Sequence, residues 1–382
     1  METPFQEVEK LLAEREPAAA FDYLIERYRA EEKYALLFEA RLMKKRHELG
    51  LPLIPTVPLD GLDPEVQRAY DDGSVEAARE VGELFLAQGN IGRAWPYFRA
   101  VGESGPVRQA IEQMPAGAEL DDVIQVAFNE RVHPKKGFEL ILQNHGICRA
   151  ITCFGQYPSL EGRDESARLL IETLHGEVVA NMKRVIERQE GAAPETNSIP
   201  ELIAGREWLF EGNSYYVDTS HVGSCIQFGP ELQDEGTLRL LIELTEYGKH
   251  LSEMFQYHGE PPFENIYEDY GIYLRCVVGD EADAGVVHFR TKIENYHPDE
   301  IGSAPAQVLV KLLVRLKRFD EAIEAFDRFL TDADPNYLSC PNRIQLCQMG
   351  RRFDELRRVA EERGDLLTFA AARLQENAAG AA

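Results

Sequence analysis

Apolar residues spaced three and four positions apart run through most of this 382-residue chain, and this is the period of an amphipathic helix. Near the N-terminus one such stripe is formed by Phe21, Leu24, Ile25 and Tyr28. No segment shows a sustained alternation of apolar and polar residues, which would indicate a half-buried strand. The pattern therefore predicts an all-α fold with almost no sheet.

The clearest local pattern lies in residues 75–106, where two short amphipathic segments are joined by a Gln-Gly-Asn turn. Small residues stand where two packed helices would have to approach closely, Gly82 in the first segment and Ala94 in the second. The segment therefore predicts a helical hairpin, with Pro106 stopping the second helix because proline cannot continue it.

This hairpin resembles a tetratricopeptide repeat (TPR), a helix–turn–helix unit of about 34 residues. The residues at the small, large and terminal positions of the repeat are Gly82, Phe85, Gly89, Ile91, Ala94, Phe98 and Pro106. A second and weaker match spans residues 306–335, with Leu309, Leu313, Phe319, Ala322 and Phe326 at the same spacing. The resemblance is one of architecture, and it implies antiparallel helical hairpins stacked in a right-handed, TPR-like α-solenoid.

Four segments follow from the predicted helices and the breaks between them. Residues 1–63 contain N-terminal helices and a Pro-rich connector, and residues 64–190 contain repeat-like hairpins that end with a long helix from Asp164. Residues 191–262 are the least repeat-like and form an irregular central segment. Residues 263–382 return to TPR-like hairpins and end with a capping helix.

Proline and glycine mark several of the breaks between helices. Four prolines in residues 51–64 exclude a helix there, and residues 115–118 form another break. A helix that begins at Pro134 is expected to end at a turn around Gly146, before the next helix starts. The last long helix of the central segment is expected over residues 237–257.

The charge balance limits the classes of partner. The chain has 41 basic and 66 acidic residues, for a net charge of -25, so its mean field repels phosphate backbones and anionic lipids. We therefore expect no nucleic-acid partner and no membrane partner. The acidic residues are spread along the chain, which is typical of solvated helix faces.

The N-terminus and the cysteines indicate the compartment. The chain starts without a basic region followed by an apolar run, so no secretory signal is predicted, and it has no stretch of about 18 apolar residues. Its six cysteines are widely scattered, which favours reduced thiols over a disulfide framework. These features predict a soluble, cytoplasmic protein.

Histidines concentrated in the middle third of the chain are the feature that points to metal chemistry. If the middle helices bring His145, His175, Glu177 and His221 together, their imidazoles and carboxylate could hold Zn or Fe with one position open for water. The alternative function is then a metal-dependent hydrolase or lyase that acts on a small-molecule substrate. On the other interpretation, single histidines cap helix ends and the chain needs no cofactor.

Tyrosines are dense in and after the central segment. A groove for a peptide or a carbohydrate could be lined by Tyr215, Tyr216, Asp218, Tyr257, Tyr267 and Tyr270. Tyrosine suits such a groove because it combines a flat apolar face with a hydroxyl, although tyrosines at helical spacing also pack between helices.

The function that these patterns favour first is a protein-binding or scaffold module, which presents a concave aromatic and polar groove to a peptide or partner protein. The metal-dependent enzyme is its main rival. A third possibility is a helical toroid with a deep closed pocket for a carbohydrate or lipid.

Overall fold

The computed structural model describes residues 3–14, 17–54, 61–114, 120–297 and 301–379. The fold is all-α, with 74% of these described residues in helices that pack in adjacent pairs. The described residues contain no strand and one isolated antiparallel bridge, between His258 and Asn265. None of their helices is both long enough and apolar enough to cross a bilayer. The all-α prediction is confirmed.

The chain divides into two compact units, residues 1–166 and residues 167–382. The division falls in the first turn of the helix Arg163–Glu190, within the segment 64–190 of the sequence analysis. Each unit has its own set of buried side chains, and each is described separately below.

The first unit is a succession of helices joined by short turns. These helices are α1 (Pro4–Ala13), α2 (Pro17–Ala30), α3 (Tyr34–Glu48), α4 (Pro64–Ala87), α5 (Ile91–Ala100), α6 (Gly105–Glu112), α7 (Leu120–Ile124), which continues into one π-helical turn (Gln125–Asn129), and α8 (Pro134–Gly155). Helices α2 to α5 each pack on the next. Together with α6, which packs on α5, they form a core that includes Leu37, Val81, Phe98 and Ile111, all at most 1% exposed.

The predicted repeat-like hairpin is formed by α4 and α5. Gly82 allows the two helices to approach, because a Cβ at this position would lie 2.6 Å from the ring of Phe98. Gly89 turns the chain with φ +73°, a conformation that favours glycine. Helix α5, however, ends at Ala100, and Pro106 lies in the first turn of α6. Pro106 therefore does not stop the second helix of the hairpin, and this prediction is wrong. Proline is tolerated in the first turn of α6 because the N–H groups there have no acceptor within the helix.

The second unit contains longer helices and several 3₁₀ turns. Its helices are α9 (Arg163–Glu190, from its second turn onward), α10 (Ile199–Ile203), α11 (Thr219–Ile226), α12 (Glu235–His250), α13 (Ile266–Val278), α14 (Ala282–Asn295), α15 (Ala304–Arg315), α16 (Phe319–Phe329), α17 (Arg343–Met349), α18 (Phe353–Glu362) and α19 (Leu366–Ala379). The 3₁₀ turns are Glu207–Asn213, Gly229–Glu231, Glu253–Phe255 and Pro335–Tyr337. Pairs of consecutive helices pack closely, among them α12 with α13, α15 with α16 and α18 with α19.

Two predicted breaks have different outcomes. The turn expected around Gly146 is present as a kink with φ +75°, although helical hydrogen bonding continues on both sides of it. Helix α12 ends at His250 and not near residue 257, because Leu251 is extended and the side-chain amide of Gln256 donates to the carbonyls of Gly248 and Leu251. The Gln256 amide thus takes the place of the backbone N–H groups that would donate to these carbonyls if the helix continued.

Two other breaks fall partly or wholly beyond the described residues. The middle of the Pro-rich connector, residues 55–60, and the break at residues 115–118 lie outside them. The end of the connector is described: Asp63 caps α4 by accepting a hydrogen bond from the backbone N–H of Glu65 at 2.9 Å, and Pro64 is the first residue of the helix.

Candidate functional site

The six residues predicted to line one groove lie in different environments of the second unit. Tyr267 is fully buried, and a Cβ on Gly248 of the neighbouring helix would lie 2.1 Å from its ring. Tyr267 therefore belongs to the core and does not line a groove, which corrects its predicted place. The sequence does not reveal this burial. The helix that carries Gly248 has no side chain at that position, so it packs directly on the Tyr267 ring and covers it.

Asp218 and Tyr257 have local partners that give them structural roles. Asp218 caps α11 by accepting hydrogen bonds from the backbone N–H of Ser220 at 2.9 Å and from its hydroxyl at 2.6 Å. These two hydrogen bonds, with the Ser220 hydroxyl the larger cause, hold the pKa of the Asp218 carboxyl below its ordinary value. The Tyr257 hydroxyl lies 2.9 Å from Thr219 Oγ1, so Tyr257 closes over the first turn of the same helix.

Tyr215 and Tyr216 line a surface pocket of about 440 Å³ beside α9. Tyr215 is 54% exposed, and its ring meets the edge of Phe255 with 5.1 Å between centroids. Tyr216 is fixed at both ends: its N–H donates to the Tyr247 hydroxyl at 2.8 Å, and its own hydroxyl donates to the Leu209 carbonyl at 2.7 Å. Of the two, Tyr215 thus has the side chain that a ligand could reach.

Tyr270 lines a separate groove of about 540 Å³, which we call the Tyr270 groove. Four segments far apart in sequence form it: the loop after α11, the middle of α13 with Phe263 before that helix, one side of α15, and Pro341. Its lining residues are Gln227, Pro230, Glu231, Gln233, Phe263, Tyr270, Tyr273, Val308, Lys311, Val314, Arg315 and Pro341. The groove therefore depends on the tertiary packing of the unit.

An aromatic stack forms the wall of the Tyr270 groove. The rings of Phe263 and Tyr270 are nearly parallel, 12° apart, with centroids separated by 4.0 Å. Behind them, Tyr273 and Phe289 meet Phe263 edge-on at 5.7 and 5.6 Å. Tyr273 is 2% exposed and Phe289 is fully buried, so the stack rests on the core of the unit and its geometry is fixed.

The Tyr270 hydroxyl is available for a ligand. Within the described residues it makes no hydrogen bond, although the residue is half-buried. Burial raises the pKa of Tyr270 to about 12, so the hydroxyl keeps its proton at neutral pH and can donate it in a hydrogen bond. An apolar face and an unused donor thus occur on one side chain.

Polar side chains of α15 and the preceding loops complete the groove. The guanidinium of Arg315 donates to the carbonyl of Pro230 at 2.7 Å and also to that of Leu232, and so fixes the 3₁₀ turn against α15. The ammonium of Lys311 donates to Ser339 Oγ at 2.9 Å and keeps two further N–H donors for other acceptors. The groove can therefore bind an apolar or aromatic side chain on the stack and a polar backbone beside it.

The proposed metal ligands occupy unrelated positions. His145 lies in the first unit, 42% exposed, with Nε2 3.9 Å from Oδ1 of the exposed Asp121. His175 and Glu177 lie in the second unit on α9, two residues apart, so they point to different faces of that helix. Glu177 is exposed, while His221 is half-buried in the first turn of α11.

His175 has a partner that gives it a structural role. It is 8% exposed, and its Nε2 lies 2.8 Å from Oε2 of Glu243 on α12. The same carboxylate oxygen accepts the backbone N–H of Ile199 at 2.9 Å. Among the described residues, no group of three or more His, Cys, Asp or Glu side chains could hold a metal ion. The structure therefore gives the metal-dependent alternative no set of ligands in these ranges.

Several groove residues carried no signal in the sequence. Phe263 follows a Pro-Pro pair, and Gln227, Lys311 and Arg315 look like ordinary polar positions on helix and turn surfaces. The density of aromatic residues around Tyr270 was the one available signal, and it gave no means of separating the exposed ring of Tyr270 from the buried ring of Tyr267. No motif connects segments that meet only after folding.

The chain matches no family model, no curated protein and no solved structure. The all-helical fold with helices packed in adjacent pairs is compatible with a helical repeat architecture.

Proposed function

We propose that this chain is a protein-binding or scaffold module of TPR-like type, and that its second unit binds a peptide segment of a partner protein in the Tyr270 groove. The observation that carries the proposal is the combination, in one groove of about 540 Å³, of the Phe263–Tyr270 stack with the unused Tyr270 hydroxyl. A rigid aromatic wall with polar groups at its edge is typical of sites that bind a side chain and the adjacent backbone.

Helical hairpins support this function because arrays of such hairpins present large surfaces to other proteins. The support is an analogy at the level of the fold, and the function itself is argued from the groove. A cytoplasmic location belongs to the same proposal, since all six cysteines are free thiols. A metal-dependent hydrolase or lyase remains the alternative, and no observation in the described residues favours it.

Photo-crosslinking tests the proposal. Gln233 lies on the exposed rim of the groove, so a photoreactive amino acid can be placed there. When this protein is irradiated in an extract of the cells that naturally produce it, it should crosslink to a partner protein. In the Tyr270→Ala background the same crosslinked band should fall by about tenfold, because truncation of a central aromatic residue removes much of the binding energy of an interface.

Tyr337 provides the matched control. It is 79% exposed, lies in the same unit and does not line the Tyr270 groove. Tyr337→Ala should therefore leave the crosslink unchanged. If the crosslinked band has equal intensity in the Tyr270→Ala and Tyr337→Ala proteins, the Tyr270 groove is not the binding site. Circular dichroism of both variants checks that the fold is retained.

A further inference from the structure

A second concave surface, which we call the Tyr97 pocket, lies in the first unit at the turn end of the α4–α5 hairpin. Its volume is about 670 Å³, and the first residues of α3 form its opposite side. The lining side chains used below are Leu36, Phe85, Arg93, Pro96 and Tyr97. Pro96 and Leu36 are exposed at its mouth, and Leu36 is 46% exposed.

The aromatic walls of the Tyr97 pocket are fixed by their packing. The rings of Phe85 and Tyr97 stack with 5.8 Å between centroids. Tyr34 meets Phe85 edge-on at 5.1 Å, and Phe38 meets Tyr97 edge-on at 5.2 Å. Because these walls are already ordered, a side chain that enters the pocket does not have to immobilise them.

Arg93 gives the pocket a positive charge that is not used within the unit. Its guanidinium lies over the ring of Phe85, 5.6 Å from the centroid, and has no carboxylate within 4.0 Å among the described residues. Other arginines of the same unit do form ion pairs with carboxylates, namely Arg27, Arg29, Arg41, Arg79, Arg99 and Arg108.

The pocket is also lined by Glu32 and Lys33, and both side chains have partners within the unit. The carboxylate of Glu32 accepts a hydrogen bond from Gln88 Nε2 at 2.8 Å, and Lys33 pairs with Glu31 at 2.7 Å. An arginine that has no carboxylate neighbour and lies beside an aromatic wall can pair with the carboxylate of a bound peptide.

We propose that the Tyr97 pocket binds a linear, acidic segment of a partner protein. An apolar side chain of about the size of leucine or proline inserts between Leu36, Pro96 and Tyr97, and a carboxylate next to it in the sequence pairs with Arg93. We take the segment as extended because Leu36, Arg93 and Pro96 are all exposed and can be contacted by neighbouring residues of one such segment. This site is in the first unit and does not depend on the Tyr270 groove.

A random 12-residue peptide display library, selected on the full chain, tests the proposal. We expect an enriched consensus in which Leu, Ile or Pro is followed within two positions by Asp or Glu. A consensus without an acidic residue, or no consensus, overturns the proposal. An enriched basic sequence overturns it as well, since Arg93 would repel it.

Synthetic peptides of the consensus, measured by fluorescence anisotropy, locate the site. Arg93→Gln should weaken binding about three- to tenfold, and the loss should disappear when the acidic residue of the peptide is replaced by its amide. Arg99→Gln is the matched control, because Arg99 lies on the same helix, is 64% exposed and pairs with Glu130 outside the pocket. Equal affinity of the Arg93→Gln and Arg99→Gln proteins overturns the proposal.

Leu36 offers a second test that does not disturb the core. Leu36→Glu should abolish detectable binding of the acidic peptide, whereas Leu36→Lys, which removes the same apolar contact, should bind at least about tenfold more tightly than Leu36→Glu. Equal binding of the two Leu36 variants overturns the proposal. Tyr270→Ala should leave peptide binding to the first unit unchanged, so this result is independent of the Tyr270 groove.

Discussion

Gly248 and Gly176 both lie within long helices of the second unit, yet a side chain added at the two positions would meet different surroundings. At Gly248 a Cβ would lie 2.1 Å from the buried ring of Tyr267, while at Gly176 it would meet no atom within 4 Å. Glycine is therefore required for close packing at one position and is merely tolerated at the other.

These two glycines give the first prediction. Gly248→Ala should lower the free energy of unfolding by about 1–3 kcal/mol, because the added methyl group overpacks the contact with Tyr267. Gly176→Ala should raise it by up to about 1 kcal/mol, because alanine is the better helix former. Urea unfolding followed by circular dichroism measures both. A destabilised Gly176→Ala together with an unchanged Gly248→Ala would contradict this account.

The half-buried carboxylate of Glu243, which lies against the ring of His175, gives the second prediction, which concerns pH. Burial alone raises the pKa of Glu243, but the hydrogen bonds from His175 and from the N–H of Ile199 outweigh it, so the pKa lies below its ordinary value of 4.5. A carboxyl group with a lowered pKa in the folded state stabilises the fold above its unfolded pKa. This stabilisation is lost as the pH falls through the folded pKa.

Wild-type protein should therefore lose stability below about pH 4.5 partly through Glu243. The amide in Glu243→Gln does not titrate, so the stability difference between the wild type and this variant should shrink as the pH falls from 6 toward about 3. Thermal unfolding over this pH range measures the difference. A constant difference across the range would show that Glu243 does not contribute in this way.

At the scale of elements, the loop before α13 is fixed to the α13–α14 hairpin by one lysine. The ammonium of Lys292 lies 2.8 Å from Oδ1 of Asp269, 2.7 Å from the carbonyl of Pro262 and 2.5 Å from Oε2 of Glu264. His288 Nε2 lies 2.9 Å from the same oxygen of Asp269. The side chain of Asp269 is 4% exposed, so these partners supply contacts that water cannot.

The third prediction follows from this arrangement. Lys292→Met should destabilise the second unit by about 2–3 kcal/mol, because it leaves a buried carboxylate with fewer partners. Arg290→Met, on the same helix, should cost at most about 1 kcal/mol, since its ion pair with Glu321 is about one-third exposed. Hydrogen exchange should become faster in residues 259–266 of Lys292→Met. Similar losses in the two variants would contradict the assignment.

Helix positions could be read from the sequence because they depend on local patterns. The predicted helix from Asp164 begins one residue earlier, at Arg163, and its apolar face is buried as expected, with Leu170, Leu174 and Val178 fully covered. The end of α12 could not be read, because a glutamine side chain six residues beyond its last helical residue caps its carbonyls. Such a contact depends on the path of the loop.

At the scale of the whole molecule, the division into two compact units gives the fourth prediction. A fragment of residues 1–162 ends in the loop before α9 and contains the Leu37–Phe98 core of the first unit. It should fold by itself, with a helical circular-dichroism spectrum and a cooperative thermal transition. The fragment 163–382 should do the same. A fragment 1–162 without a cooperative transition would show that this unit is not an autonomous folding domain.

The candidate site was predictable only in part, for a physical reason. The aromatic density around residues 257–273 indicated a surface that could bind a ligand, and Tyr270 does line a groove. The sequence could not show that Tyr267, three residues earlier, faces Gly248 and is buried. It also could not show that Lys311 and Arg315 lie beside Tyr270, since they come from a helix about forty residues later.

The sequence by itself determined the helices, the turns at Gly89 and Gly146, and the excess of negative charge, because periodicity, backbone conformation and composition are local properties. Only the tertiary structure decided which tyrosines are covered, which arginines find a carboxylate and which segments form a groove. These outcomes depend on distances between residues far apart in the chain. Arg99 and Arg93, six residues apart on one helix, illustrate them: Arg99 pairs with Glu130, whereas Arg93 has no carboxylate partner in the described part of the chain.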